Sequence, residues 1–122
     1  MIRRAIETPI MFEIRAALAS LAQTHRNNTG FDVDRKVHYG LGRGGPDLVS
    51  IPCGRFAGFE VKAPNGRLDA DQQLWHAAAR NAGAFVTTVR DPGAALEALT
   101  RARLCRCRSC GCVSVPTWEH FE

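Results

Sequence analysis

The sequence lacks the features that would place it in or across a membrane. No run of apolar residues is long enough to cross a bilayer, and Met1-Ile2-Arg3-Arg4 does not lead into the apolar segment of a signal peptide. Internal repeats and low-complexity segments are also absent. We therefore expect a cytoplasmic protein, free in the cytosol or associated with the nucleoid, with no membrane partner.

Cysteine is scarce over most of the chain and concentrated near its end. Cys53 stands alone, and the other four of the five cysteines lie close together: Cys105, Cys107, Cys110 and Cys112. Without a secretory signal, reduced thiols or metal ligands are expected rather than a disulfide framework. The spacing before Gly111 is typical of half a zinc knuckle, and His120 is available to complete a structural zinc site. A reduced basic tail without zinc is the alternative, and the residues do not decide between the two.

The composition is that of one soluble domain followed by this tail. A chain of 122 residues, 45% hydrophobic and 23% charged, can bury a core without disulfide or metal staples. The net charge of +4 is compatible with a polyanionic partner, but also with an ordinary solvated surface. We divide the chain into a folded domain, residues 1–103, and a cysteine-rich tail, residues 104–122.

Apolar periodicity and turn residues predict the element order α-β-β-β-α-β-α. Helices are predicted over residues 9–22, 69–83 and 91–103, and strands over residues 31–39, 47–51, 55–62 and 84–89. The second and third strands are joined by a short turn and should be antiparallel, whereas the last strand follows a helix and should lie parallel to the third. The expected fold class is α/β, with a central mixed sheet flanked by helices.

Three details of this prediction bear on the site. The first helix is expected to start at Thr8-Pro9, with Glu13 at the edge of its apolar face. His38 and Tyr39 are interpreted as a simple strand surface rather than as part of a DNA groove. The second helix is predicted to bury one apolar stripe, formed by Leu74, Trp75, Ala78, Ala79 and Ala82, with His76 on the surface or in a packing role.

The stretch from Gly44 to Lys62 carries the candidate chemistry. A Gly-Gly-Pro-Asp turn ends at Asp47, and Glu60 lies on the next strand. Phosphodiester hydrolysis needs a metal ion to hold the phosphate and neutralise charge, and Mg²⁺ is satisfied by one or two carboxylates plus water and substrate oxygens. Asp47 and Glu60 suit this role if their side chains share one face of the sheet, with the backbone carbonyl of Val61 as a further candidate ligand.

Lys62 follows Glu60 by two residues, so on a strand both side chains point to the same face. A lysine there is placed to orient an attacking water or to stabilise the transition state. A surface salt bridge on an edge strand explains the same two residues equally well.

Several motifs occur together in an order found in one nuclease family. They are Gly45-Pro46-Asp47, Glu60-Val61-Lys62, the turn Arg26-Asn27-Asn28-Thr29-Gly30, Gly40-Leu41-Gly42, Gly54-Arg55-Phe56, and Asn65-Gly66-Arg67-Leu68 followed by Gln72 and Trp75. In these motifs the chain resembles the VRR-NUC (virus-type replication-repair nuclease) family of the PD-(D/E)XK nuclease superfamily, especially its small standalone phage-type members. The resemblance spans about residues 9–99, and the cysteine tail departs from the family pattern.

The resemblance implies a restriction-endonuclease-like core and a DNA endonuclease that hydrolyses phosphodiester bonds with Mg²⁺ or Mn²⁺. Asp47 and Glu60 match the metal ligands, and Lys62 matches the catalytic lysine. Glu13 matches an acid that the first helix of many superfamily members places beside the metal. Gln72 matches a family glutamine behind the site, although it also completes a helix capping box.

Basic and amide side chains near the acids are candidate DNA contacts. Arg26 and Asn28 lie in a turn and suit phosphate binding, with turn formation as the alternative, which is favoured for Asn27. Arg43 and Arg67 flank the acids from two loops.

The resemblance also implies a partner and a setting. Small standalone members of the family look like dimeric resolvases of branched DNA, Holliday junctions included, which implies a homodimer acting in replication, recombination or repair in a bacterial or phage-infected cell. Two other classes stay open: a non-catalytic DNA-binding module of the same fold, and a zinc-binding interaction protein that works through the tail cysteines.

Overall fold

The computed structural model describes residues 2–103, 105–106 and 113–114, and the side chains of residues 9–52 and 54–102. Its helices are α1 (Ile2–Ala19), α2 (Ala70–Asn81) and α3 (Pro92–Arg103), with a 3₁₀ turn at Pro52–Gly54. Its strands are β1 (Gln23–Arg26), β2 (Gly30–Asp32), β3 (Val37–Tyr39), β4 (Leu48–Ile51), β5 (Ala57–Val61), β6 (Phe85–Val89), β7 (Cys105–Arg106) and β8 (Val113–Ser114). No helix in these ranges is long and apolar enough to span a membrane.

A four-stranded mixed sheet in the order β1-β4-β5-β6 forms the centre. Strands β1 and β5 both pair antiparallel with β4, and β6 pairs parallel with β5. The predicted α/β class with a mixed sheet is confirmed. Counting only the strands of this sheet, the element order is also the predicted α-β-β-β-α-β-α.

The first predicted strand is wrong. Residues 31–39 do not form one strand of the main sheet but a separate hairpin, in which β2 pairs with β3. The Asp32 carboxylate accepts hydrogen bonds from the backbone N–H groups of Asp34 and Arg35, and Lys36 adopts the left-handed region at φ 53°. This side-chain-to-backbone bonding creates a turn inside a run whose alternation resembles one strand.

The first strand of the main sheet is instead β1, which apolar alternation does not reveal. Its four residues are polar, and it lies at the edge of the sheet with mostly exposed side chains. The predicted start of the first helix is also wrong. Helix α1 begins at Ile2 and contains Pro9 in its interior, which removes one backbone hydrogen bond without ending the helix.

Helices α1 and α3 pack together on one face of the sheet and close the core. The buried residues of this cluster are Met11, Ile14, Leu18, Leu48, Ala57, Phe59, Val61, Val89, Ala95, Leu99 and Ala102. Because Phe59 and Val61 point into this cluster, their neighbour Glu60 points to the other face, where α2 lies. The predicted inward residues of the last helix are confirmed, since Ala95, Leu99 and Ala102 are buried and Leu96 is half-buried.

The predicted apolar stripe of α2 is wrong, because a different side of the helix faces the sheet. Leu74 is 70% exposed, and Ala78 and Ala82 are exposed. The side of α2 that faces the sheet carries His76, which is buried, and the half-buried residues Gln72, Trp75 and Ala79. The physical reason is that the sheet presents charged side chains on this face, so polar residues of the helix are the ones that fit against it.

The tail is described only in part. Cys105–Arg106 and Val113–Ser114 pair as a short antiparallel ribbon. Cys107, Cys110, Cys112 and His120 lie outside the described residues, as does the side chain of Cys105. The predicted zinc site and the division at residue 103 therefore stay predictions.

Candidate metal and nucleic-acid site

The pairing of β4 with β5 sets Asp47 opposite Glu60. Leu48 is the cross-strand partner of Phe59, so the residue before Leu48 meets the residue after Phe59. Residues directly opposite in an antiparallel pair project to the same face. The two carboxyl groups thus converge on the α2 side of the sheet, as the sequence predicts.

Glu60 is only 2% exposed. Its Oε1 accepts a hydrogen bond of 2.6 Å from Gln72 Nε2 and lies 3.8 Å from Lys62 Nζ. Its Oε2 is buried and has no hydrogen-bond partner within the part of the chain that the structure describes. A buried carboxylate oxygen without a partner is costly, and a bound cation is one group that would satisfy it.

The electrostatics of Glu60 follow from this position. Burial, followed by the negative charge of Asp47, raises the pKa of Glu60, and the positive charge of Lys62 lowers it. Together these effects raise the pKa from 4.5 to about 8. Without a cation, the Asp47–Glu60 pair retains a proton at neutral pH. A divalent cation would replace that proton, so the pair has the chemistry of a metal site.

Asp47 is half-buried and tightly held. Its Oδ2 accepts a 2.8 Å hydrogen bond from the backbone N–H of Val61, on the strand that carries Glu60. Its backbone carbonyl accepts another from the N–H of Asn27. The carboxylate position is therefore fixed from both neighbouring strands.

Asn27 braces the glycine-rich loop that leads to Asp47. Its Nδ2 donates to the carbonyl of Pro46 at 2.9 Å, and its Oδ1 accepts from the N–H of Leu41 at 3.2 Å. The Leu41 carbonyl in turn accepts a 2.9 Å bond from Trp75 Nε1 on α2. Asn27 therefore stabilises the turn, as predicted. Trp75, predicted as a core residue, is half-buried and holds this loop by a hydrogen bond.

The same loop is pressed against the start of α2 from the other side. Gly44 has φ +88°, and a Cβ there would collide with the backbone of Asp71. Only glycine combines this backbone conformation with so close an approach.

Gln72 is hydrogen-bonded both within a helix capping box and to Glu60, and its role in catalysis stays a prediction. Its Oε1 accepts from the Asp69 N–H at 2.9 Å while the Asp69 carboxylate accepts from the Gln72 N–H at 2.8 Å, which is a complete capping box. Its Nε2 is left to donate to Glu60. A glutamine can do both because its amide has an acceptor at one atom and donors at the other.

Lys62 is 8% exposed and belongs to the chain that continues β5, an interior strand of the sheet. Its N–H donates to the carbonyl of Val89. A surface salt bridge on an edge strand, the alternative left open by the sequence, is therefore wrong. The Glu60–Lys62 pair is buried, so ionising both groups is expensive unless they have a function or further partners.

Glu13 does not join this pair in a larger cluster. It is exposed on α1, the helix that packs on the Phe59 face of the sheet. Among the described residues, no three side chains of His, Cys, Asp or Glu come together as a metal site. The roles of Glu13 and of the Val61 carbonyl stay predictions.

Two of the predicted DNA-binding residues lie in a cleft with Asp47. This cleft, called here the Asp47 cleft, measures about 570 Å³ and is lined by Arg26, Asn27, Asn28, Thr29, Tyr39, Gly45 and Asp47. Arg26 and Asn28 are exposed there, so their donors are accessible beside the carboxylate.

The other two predicted DNA-binding residues do not line the Asp47 cleft. Arg43 lines a second cleft of about 630 Å³, called here the Arg43 cleft, together with Thr29, Gly30, Phe31, His38, Tyr39, Gly40, Gly42 and Gly44. Its guanidinium is 3.9 Å from the Asp71 carboxylate, an exposed pair of little energetic weight. Arg67 is exposed in the loop between β5 and α2 and lines neither of these clefts.

His76 is the residue near the site that the sequence analysis underestimated. It is buried, and both ring nitrogens have no hydrogen-bond partner among the described residues. Burial lowers its pKa, and the charges of Arg80 and Lys62 lower it further, so the neutral imidazole is favoured. The signal for its burial is its spacing: it follows Gln72 by four residues and lies on the same side of the helix.

Comparison with known proteins finds a solved structure with a similar fold. A solved structure described as "VRR_NUC domain" superposes with a TM-score of 0.57 at 22% sequence identity, over 78% of this chain and 95% of that chain. No protein-family model matches the sequence, and no curated protein does. The chain therefore has the restriction-endonuclease-like α/β fold of that VRR_NUC domain.

Proposed function

We propose that this protein is a metal-dependent DNA endonuclease whose active site is the Asp47–Glu60 pair. The observation that carries the proposal is the cross-strand pairing of these two carboxyl groups, with a buried Glu60 Oε2 that has no hydrogen-bond partner among the described residues. The fold shared with a VRR_NUC domain supports the same reaction class, hydrolysis of phosphodiester bonds.

Mg²⁺ or Mn²⁺ would be held by Asp47 and Glu60, with the carbonyl of Val61 as a further candidate ligand. The two carboxylates fit such an ion because hard cations keep several waters and need few protein oxygens. When bound, the ion neutralises charge on the phosphate and lowers the pKa of water so that hydroxide forms near neutral pH.

The remaining site residues stabilise the charge of the transition state, orient Glu60 or bind DNA. Lys62, held 3.8 Å from Glu60 Oε1, supplies a positive charge on the side of the sheet where the phosphate would lie, and so stabilises charge that builds up in the transition state. Gln72 is a positioning residue, because it acts on Glu60 and not on the substrate. Arg26 and Asn28 bind the DNA backbone beside Asp47, and Arg43 and Arg67 add positive charge around the cleft.

We further propose that the substrate is branched DNA, Holliday junctions included, and that the protein acts as a homodimer in replication, recombination or repair. Resolving a four-way junction needs two symmetric cuts, and one chain carries one Asp47–Glu60 pair. This part of the proposal is supported by the sequence resemblance to small standalone VRR-NUC nucleases, whose setting is a bacterial or phage-infected cell.

The test is cleavage of a labelled four-way junction by the purified protein with Mg²⁺, with Mn²⁺ and with EDTA. Asp47→Ala should lose more activity than the roughly 10- to 100-fold that loss of an outer-shell partner of a metal costs. Glu97→Ala is the matched control, because Glu97 is an exposed acid on α3 and pairs with Arg101. Equal cleavage by wild type and Asp47→Ala would refute the assigned site, and salt-dependent binding without any metal-dependent cutting would identify a non-catalytic DNA-binding module.

A further inference from the structure

The β2–β3 hairpin exposes aromatic side chains beside the candidate active site. The hairpin forms its own two-stranded sheet outside the main one. Tyr39 is 51% exposed and Phe31 is 47% exposed. Large apolar side chains at the rim of a polar cleft suit a ligand with flat, partly apolar parts.

The two rings lie on opposite faces of the hairpin. Phe31 is the cross-strand partner of His38, and their ring centroids are 4.6 Å apart. Tyr39 is the partner of Gly30, so its side chain is on the other face. A Cβ on Gly30 would come within 2.6 Å of the Tyr39 ring carbon that bears the hydroxyl. The glycine therefore lets the hydroxyl end of the Tyr39 ring approach the backbone closely, while the side chain stays 51% exposed and accessible to a ligand.

The surroundings of Tyr39 match nucleic acid better than protein. Tyr39 lines the Asp47 cleft together with Arg26, Asn28 and Asp47 itself. A guanidinium and an amide beside an aromatic ring are the groups that bind a phosphate backbone and stack a base. A base inside a duplex is already stacked on its neighbours, so only an unpaired or splayed-out base can lie on this ring.

We propose that Tyr39 is a base-stacking residue that binds an unstacked nucleobase next to the phosphate bound by Arg26 and Asn28 in the Asp47 cleft. This inference rests on the proposed nuclease function and narrows its substrate class to DNA with an unstacked base near the scissile phosphate. Branch points, flaps and single strands have such bases, whereas a continuous duplex does not.

The test measures DNA binding separately from cutting. Dissociation constants are measured by fluorescence anisotropy in EDTA for a labelled four-way junction, a single strand and a blunt duplex of the same sequence. Loss of a stacked base typically costs about 1–3 kcal/mol, so Tyr39→Ala should weaken binding of the junction and the single strand by roughly 5- to 150-fold. Binding of the duplex should change less than about twofold, and Tyr39→Phe should bind like wild type, because stacking needs the ring and not the hydroxyl.

Two further variants make the result decisive. Phe12→Ala removes a ring that is 60% exposed on α1 and lines neither cleft, so it should leave all three affinities nearly unchanged. Tyr39→Leu keeps apolar bulk over Gly30, so it replaces Tyr39→Ala if that variant does not fold, and it should lose affinity to a similar extent. Equal loss on duplex and single strand, or equal loss in Phe12→Ala, would overturn the inference.

The nuclease proposal is tested by an assay that is separate from the DNA-binding measurements. Hydrolysis of bis(p-nitrophenyl) phosphate with Mn²⁺ involves no nucleobase, so it tests the metal site without DNA and should be lost in Asp47→Ala. Failure of wild type to hydrolyse this compound and DNA would refute the nuclease proposal, while the dissociation constants would still decide the role of Tyr39. If Tyr39→Ala instead changes the sedimentation coefficient of the free protein, the hairpin binds a second copy of the chain and base stacking is refuted.

Discussion

Glu60 is a carboxyl group at a position where its ionised form is poorly stabilised. One oxygen is bonded to Gln72, the other has no hydrogen-bond partner among the described residues, and Asp47 stands opposite. Such a residue lowers the stability of the metal-free protein and is tolerated where it has a function. The raised pKa of Glu60 and the Gln72 amide that donates to it can each be tested by substitution.

The stability of the metal-free protein should fall as pH rises toward 8. Between the ordinary pKa of 4.5 and the raised pKa of about 8, folded Glu60 retains a proton that the unfolded chain has released. The free energy of unfolding therefore falls with pH in this window, by up to roughly 1.4 kcal/mol per pH unit. The burial of His76 lowers its pKa and so acts in the opposite direction at lower pH, which makes about pH 7 to 8 the best range for the measurement.

Urea unfolding in EDTA at several pH values checks this expectation. Glu60→Gln should remove the slope and be more stable than wild type at pH 8, whereas Glu97→Gln, at an exposed position, should keep it. A wild-type stability that does not change over this range would contradict the raised pKa of Glu60.

Gln72→Glu should separate the two roles of Gln72. Glutamate still accepts the Asp69 N–H and so keeps the capping box, but it has no donor for Glu60. We expect activity and metal affinity to fall by roughly 10- to 100-fold, as on loss of an outer-shell partner. The measurement is the Mn²⁺ concentration that gives half-maximal cleavage. Gln73→Glu, on the exposed neighbour, should match wild type, and an unchanged Mn²⁺ dependence in Gln72→Glu would mean that the Glu60 contact has no role in binding metal.

At the scale of elements, prediction from the sequence works where a strand or helix buries apolar side chains. Strands β4, β5 and β6 and helix α3 have such faces, and their pairing follows from the lengths of the connections. The Asp47–Glu60 pair is predictable for the same reason, since one short turn joins their strands. Polar elements are missed: β1 is an edge strand without alternation, and the buried side of α2 carries Gln72 and His76 because the facing strand carries Glu60 and Lys62.

Asn27 and Asn28 are adjacent in the loop that precedes the site, but their surroundings differ. Asn27 bonds to Pro46 and Leu41 and is half-buried, whereas Asn28 is exposed in the Asp47 cleft. Asn27→Ala leaves partners unsatisfied and should lower the free energy of unfolding by about 1–3 kcal/mol. Asn28→Ala should leave stability within about 0.5 kcal/mol of wild type and weaken junction binding. Urea unfolding measures the stability of each variant, and fluorescence anisotropy measures its binding to the junction. If Asn27→Ala weakens binding and Asn28→Ala lowers stability instead, Asn27 is the DNA contact.

At the scale of the whole molecule, the packed core lies between Met11 and Ala102. The buried cluster draws on α1, α3 and the central sheet, and the candidate site is assembled from β4, β5 and α2 on the other face. Each of these elements ends before residue 104. Folding and cutting are therefore expected to depend on the first 103 residues, and the cysteines of the tail to serve something else.

Deleting residues 104–122 tests that division. The shortened chain should unfold cooperatively with a midpoint close to that of the full chain and should cleave the junction at a similar rate, because it retains the core and the Asp47–Glu60 pair. Zinc content is measured on both proteins: if Cys105, Cys107, Cys110 and Cys112 bind zinc, the full chain carries the metal and the shortened one does not. A shortened chain that fails to fold, or a full chain that unfolds when zinc is removed, would instead make the tail part of the folded domain.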